Sequence, residues 1–143
     1  MKVRQILESK GGELATITPE RTIEEAVGEL GRRRIGSLVV VDDAGSLIGI
    51  LSERDVVSAM AEHGMDLTRS HVRDLMTHTV TTCRPDDEVT DVTVKMTDGR
   101  FRHVPVMDKG QLVGLISIGD AVKARIQELE HEREALRDYI SSG

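Results

Sequence analysis

An internal repeat constrains this chain more than any other feature. Val3-Arg4-Gln5-Ile6-Leu7 recurs as Val72-Arg73-Asp74-Leu75-Met76, and Thr16-Ile17-Thr18-Pro19 recurs as Thr82-Cys83-Arg84-Pro85. Leu38-Val39-Val40-Val41-Asp42 returns as Val104-Pro105-Val106-Met107-Asp108. Gly49-Ile50-Leu51-Ser52-Glu53-Arg54-Asp55 returns as Gly114-Leu115-Ile116-Ser117-Ile118-Gly119-Asp120. The order is kept and the offset stays between 65 and 69 residues, a drift that small differences in loop length explain. The 143 residues therefore divide into halves at 1–66 and 67–126, with a C-terminal extension at 127–143. A unit of ~60 residues is marginal by itself, so the halves are expected to pack sheet against sheet as one module.

Each half reads as β-α-β-β-α, an α+β fold used twice. A short strand precedes Pro19 or Pro85. A helix follows, opened in the first copy by the capping-box pair Thr22 and Glu25, with Ile23, Ala26, Val27 and Leu30 on one face. Val89, Val92 and Met96 keep that stripe in the second copy. The buried-type strands Leu38–Val41 and His103–Met107 each turn, through Asp43-Ala44-Gly45 or Asp108-Lys109-Gly110, into a second strand. The partner strands are Leu47–Leu51 and Gln111–Ile116, and a helix begins at Ser52 or Ser117.

Ser-x-x-Asp at a strand-to-helix corner carries the chemistry. The first amides of a helix lack intrahelical partners and bear the positive end of its dipole, which suits an anion. A serine hydroxyl there can donate to a phosphate or hydroxyl oxygen, and a carboxylate one turn on can accept from a ribose diol. The same spacing is also that of a capping box, in which serine and carboxylate satisfy each other's backbone amides. Both readings stand for Ser52/Asp55 and for Ser117/Asp120. Ahead of the second buried strand lies Arg100-Phe101-Arg102-His103, and the first copy offers Arg32-Arg33-Arg34-Ile35-Gly36-Ser37 there. Guanidinium groups suit bidentate phosphate contact, which assigns Arg102 and His103 to a ligand. Arg32 and Arg33 read more simply as a solvated helix end.

These residues resemble a tandem pair of cystathionine β-synthase (CBS) domains, the Bateman module, over about residues 1–126. The carrying motifs are the doubled GILSERD/GLISIGD and the FRHVPVMD strand. The resemblance implies two sites in the cleft between the repeats for adenosine compounds such as AMP, ADP, ATP, S-adenosylmethionine or NAD. It implies that Asp55 and Asp120 hold ribose hydroxyls, with Ser52 and Ser117 near the sugar-phosphate. By the same resemblance Arg102 and His103, joined by Arg54, are expected to face phosphate, and Thr77 and Val80 to lie on the adenine-facing edge. Gly36-Ser37 stands where the second half has Arg102-His103, and Ile118-Gly119 where the first has Glu53-Arg54, so the two sites are not equivalent.

Composition narrows the field of ligands. Phe101 and Tyr139 are the only aromatic residues. Platforms that stack several bases or sugars are excluded, and an adenine is expected between aliphatic residues such as Val80, Val104 and Pro105. A formal net charge of −6 argues against nucleic acid as a partner. The single cysteine, Cys83, suits a reducing cytoplasm, no leader-like apolar segment opens the chain, and no membrane span is expected. Neither G-x-x-x-x-G-K-[ST] nor G-x-G-x-x-G occurs, and the histidines show no zinc spacing. Binding without turnover, catalytic residue, metal or catalytic cofactor is the expectation. Three readings remain: a cytoplasmic nucleotide sensor acting on a separate effector protein, a dimerisation module whose motifs are only caps, and a nucleotide-consuming enzyme. From Asp120 to about Tyr139, Val122, Ile126, Leu129, Arg133, Leu136 and Ile140 recur at heptad steps. That helix either folds against its own module or assists a homodimer.

Overall fold

The computed structural model describes residues 1–11 and 14–142; residues 12, 13 and 143, within the first repeat and the C-terminal extension, lie outside the described residues. The elements run α1 (Val3–Lys10), β1 (Thr16–Ile17), α2 (Ile23–Arg33), β2 (Ser37–Val41), β3 (Leu47–Ser52) and α3 (Glu53–His63). They continue through α4 (Val72–Leu75), α5 (Val89–Gly99), β4 (His103–Asp108), β5 (Gln111–Ser117) and α6 (Ile118–Ser142). The architecture is α+β, two copies of one unit forming a single module with a C-terminal helix.

Local chemistry sets these elements where the periodicity placed them. Thr22 caps α2: Glu25 N–H donates to its Oγ1 at 3.2 Å, and Thr22 N–H donates back to Glu25 Oε1 at 3.3 Å. Ile23, Ala26 and Leu30 of α2 are buried, whereas Val27 at the edge of the stripe is 46% exposed. β2 and β3 pair antiparallel, as do β4 and β5, and each hairpin shifts register at the same place, after Val40 or Val106.

The first sheet has three strands, with β1 parallel to β2, but the second has two. The strand expected before Pro85 is reduced to one bridge between Cys83 and Val106. Val39 N–H donates to Ala15 O at 3.1 Å in the first copy, and Pro105 stands at the equivalent position. Proline has no N–H to give, so the ladder is one bond shorter.

The repeats exchange their opening helices. The core of the first sheet, including Ile17, Ala26, Leu38, Val40 and Leu51, takes Leu67 and Val72 from the second half. The core of the second, including Val89, Val92, Val104, Val106 and Ile116, takes Val3 and Ile6 of α1. The exchange is reciprocal in the backbone. Arg4 N–H donates to Pro85 O at 2.8 Å, and Arg73 N–H donates to Pro19 O at 3.0 Å. Halves cut at 66/67 therefore do not each own a whole core. Val39 and Pro105 belong to neither core yet are fully buried. A strand covered on both faces has that pattern.

The helix after Ser117 and the C-terminal extension are one continuous helix of 25 residues, α6, whereas α3 stops at Gly64 with φ +95°. Burial in the second core pushes the Cys83 thiol up to about 11, so it is an inert core residue. Among the described residues, no helix is long and apolar enough to cross a membrane.

Candidate functional site

Two cavities lie where the repeats meet, and each is built from both. The first, about 280 Å³, takes Ser52, Arg54 and Asp55 from the corner between β3 and α3. Thr77, Thr79, Val80 and Thr81 supply a second wall, and Arg100 to His103, leading into β4, a third. The second, about 740 Å³, is its counterpart: Ser117 from the corner after β5, Arg33 to Ser37 ahead of β2, and Lys10, Leu14 and Ala15. His103 lines both.

Close approach of the exchanged segments shapes these walls. A Cβ on Gly49 would stand 2.8 Å from Met76 Sδ and 3.0 Å from Thr77 O. One on Gly114 would stand 2.4 Å from Leu7 Cδ2. The glycine opening each GILS or GLIS strand therefore makes room for the other repeat, and Ile50 and Thr77 then bond through both backbone groups, at 3.1 and 2.9 Å.

Both Ser-x-x-Asp corners form capping boxes. Asp55 N–H donates to Ser52 Oγ at 3.2 Å while Ser52 N–H donates to Asp55 Oδ2 at 2.9 Å. The corresponding distances at Ser117 and Asp120 are 3.1 and 2.9 Å. Each cap engages one carboxylate oxygen. The further partner of the carboxylate differs between copies: in the first it engages the other oxygen, in the second it shares the oxygen the cap already uses. Thr77 Oγ1 donates to Asp55 Oδ1 at 3.4 Å, whereas Lys10 Nζ donates to Asp120 Oδ2 at 2.8 Å. That ammonium and the cap amide hold the Asp120 carboxyl below the usual range, against the opposing effect of burial.

The segments facing these corners begin with left-handed arginines. Arg34 and Arg100, equivalent C-cap residues of α2 and α5, have φ of 54° and 57°. Non-glycine residues rarely hold this conformation, and both line a cavity. Arg54 ties the first cavity together by donating to Arg100 O at 3.1 Å across the repeats. His103 is half-buried; desolvation lowers its pKa against Glu53, with Asp120 opposing and Lys10 and Arg102 reinforcing.

Seven residues singled out from sequence meet in the first cavity: Ser52, Arg54, Asp55, Thr77, Val80, Arg102 and His103. Ser117 lines the second, and Asp120 reaches it through Lys10. Val104 and Pro105 do not line either cavity. Val104 points into the second core, and Pro105 is fully buried with its carbonyl accepting from Cys83 N–H at 3.0 Å. Phe101, beside Arg102 and His103, also lines the first cavity, folded over the bare Cα of Gly99. Arg33 pairs with Glu29 at 2.8 Å, as a solvated helix-end cation does, and also lines the second cavity. Arg34 and Ser37, from the segment equivalent to Arg100–His103, line the second cavity, whereas Lys10, Thr79 and Thr81 line cavities without a sequence signal pointing to them.

Known proteins carry the same arrangement. The CBS domain family matches residues 3–62 and again 72–127. The mitochondrial CBS domain-containing protein CBSX3 of Arabidopsis thaliana is 32% identical, covering 99% of this chain and 72% of its own length. The crystal structure of a CBS-domain containing protein from Agrobacterium tumefaciens matches with a TM-score of 0.85 at 42% identity, over 87% of this chain and 99% of that one. The CBS domain pair of protein MJ0100, crystallised with 5'-methylthioadenosine and S-adenosyl-L-methionine, matches with a TM-score of 0.79 at 27% identity, over 90% and 98%.

Proposed function

Because this chain belongs to the CBS-domain family, with two copies in tandem, we propose that it is a non-catalytic sensor binding an adenine nucleotide of the AMP, ADP or ATP type. One observation carries this reading: in each cavity, a Ser-x-x-Asp corner of one repeat faces a cationic pre-strand segment of the other. Ribose and phosphate are bound by different repeats, so occupancy stabilises one arrangement of the two. In the first cavity Asp55 accepts from the ribose diol, Ser52 stands by the sugar-phosphate, and Arg102 and His103 meet phosphate. Val80 and Phe101 supply the apolar edge for adenine. Asp120 and Ser117 take the corresponding roles in the second. The protein acts in the cytoplasm on a separate effector protein, as a homodimer assisted by α6, whose outer residues Leu129, Leu136, Tyr139 and Ile140 are 47–77% exposed.

The adenosine compounds bound by the MJ0100 pair favour a second reading, S-adenosylmethionine in place of a mononucleotide. Thermal shift with AMP, ADP, ATP, NAD and S-adenosylmethionine separates the two. A ligand at 100 times its dissociation constant adds about 2.7 kcal/mol of stability. A shift with the mononucleotides supports the proposal; a shift with S-adenosylmethionine alone replaces it, and no shift with any member refutes both.

His103 gives binding a pH dependence of known sign. Its folded pKa lies below the ordinary 6.5. Its neutral form therefore stabilises the fold above 6.5, and that contribution is lost as pH falls through the depressed folded value. A bound phosphate favours the imidazolium, so AMP affinity is expected to rise with acidification over the same window. In His103→Gln both trends flatten relative to wild type. An AMP affinity with the same pH slope in wild type and His103→Gln contradicts the assignment of His103 to phosphate.

A further inference from the structure

The two carboxylates of the repeated motif are in different electrostatic states, and the difference comes from one residue. Asp55 has a threonine hydroxyl as its neighbour beyond the cap. Asp120 has the Lys10 ammonium at 2.8 Å, held in place by a second bond, at 2.9 Å, to Leu115 O. Lys10 is the last residue of α1, the helix the repeats exchange, and its side chain lines the second cavity. The cavity contains a further unsatisfied group. Ser37 is 2% exposed, lines the wall, and its Oγ has no hydrogen-bond partner among the described residues. A buried hydroxyl without a partner is unfavourable, and a ligand oxygen seated against it removes that cost.

Building on the nucleotide-binding reading above, we propose that Lys10 makes the second cavity selective for phosphorylated nucleosides, the first accepting nucleosides with or without phosphate. A ribose diol that takes both oxygens of Asp120 must compete at Oδ2 with the ammonium. An unphosphorylated nucleoside leaves that ammonium without a counter-charge in a half-enclosed site, which is unfavourable. A phosphate ester gives it one. Lys10 then moves from the carboxylate to the phosphate, Asp120 turns to the diol, and Arg33 and Arg34 stand on the same wall for further phosphate oxygens. The first cavity lacks this coupling because, among the described residues, no cation pairs with Asp55. Its capacity of about 280 Å³ against about 740 Å³ for the second also fits a smaller ligand.

Calorimetric titration of the full chain with adenosine and with AMP tests this by stoichiometry. Wild type is expected to bind AMP at two sites per chain and adenosine at one. Lys10→Met is expected to bind adenosine at two sites, with AMP at the second site weakened about tenfold, the loss of one charge-assisted contact. Lys10→Arg keeps the charge and restores the wild-type pattern. Adenosine at two sites in wild type, AMP at only one, or an unchanged adenosine stoichiometry in Lys10→Met overturns the proposal while leaving nucleotide binding intact. No heat from either ligand overturns the nucleotide reading itself.

Discussion

Replacing Asp55 and Asp120 together by alanine is expected to abolish nucleotide binding and leave the fold in place. A carboxylate that accepts from a ribose diol contributes about 1.5–3 kcal/mol per charged hydrogen bond, so each site loses at least ~10-fold to 100-fold in affinity. The nucleotide-dependent thermal shift then disappears at concentrations that saturate wild type. The stability cost is much smaller. Each aspartate also accepts the backbone N–H of its serine, at 2.9 Å in both copies, and removing a cap partner costs about 1 kcal/mol. Circular dichroism and the unliganded melting curve measure that cost separately. Undiminished nucleotide binding in a folded double variant would mean that the two corners are caps and nothing more. The single variants differ as well. Asp55→Ala empties the smaller cavity, whereas Asp120→Ala also removes the counter-ion of Lys10.

The second large effect concerns the junction of the repeats. Gly49→Ala is expected to destabilise the protein by about 1–3 kcal/mol, the usual consequence of overpacking. Its new methyl group would stand 2.8 Å from Met76 Sδ and 3.0 Å from the Thr77 carbonyl. The sulfur can swing aside, but the carbonyl is pinned by the paired backbone bonds between Ile50 and Thr77. The same substitution at Gly28 in α2, where nothing lies within 4 Å, is expected to stabilise by about 0.5–1 kcal/mol, because alanine restricts the unfolded chain. Chemical denaturation of the two variants gives shifts of opposite sign. A neutral or stabilising Gly49→Ala would show that the exchanged segment does not approach this strand closely. Displacement of Thr77 also reaches the first cavity, so Gly49→Ala weakens nucleotide binding without touching a proposed ligand contact.

These two outcomes separate what was legible in the sequence from what was not. The doubled Ser-x-x-Asp was legible as a corner because a glycine, an aliphatic run and a capping pair are local signals, each read within one strand and one helical turn. The exchange of α1 and α4 was not. Val3 to Leu7 and Val72 to Met76 are near copies, and an apolar helix face does not say which of two near-identical cores it covers. Everything that depends on the exchange was hidden with it: Lys10 beside Asp120, Leu7 over Gly114 and Met76 over Gly49. Val104 and Pro105 are singled out by the motif yet lie away from both cavities. Their position in the motif strand drew them into the site, but alternation along β4 turns Val104 into the core, and the missing proline N–H shortens the adjoining ladder. The left-handed arginines were out of reach, because arginine is not a residue whose presence signals positive φ.

Ribose and phosphate of one nucleotide are proposed to be bound by different repeats. A crystal structure of the full chain grown with saturating AMP tests it most directly. AMP is expected in the smaller cavity with its ribose hydroxyls on Asp55 and its phosphate on Arg102 and His103. Empty cavities, or AMP bound with its ribose away from Asp55, would contradict it.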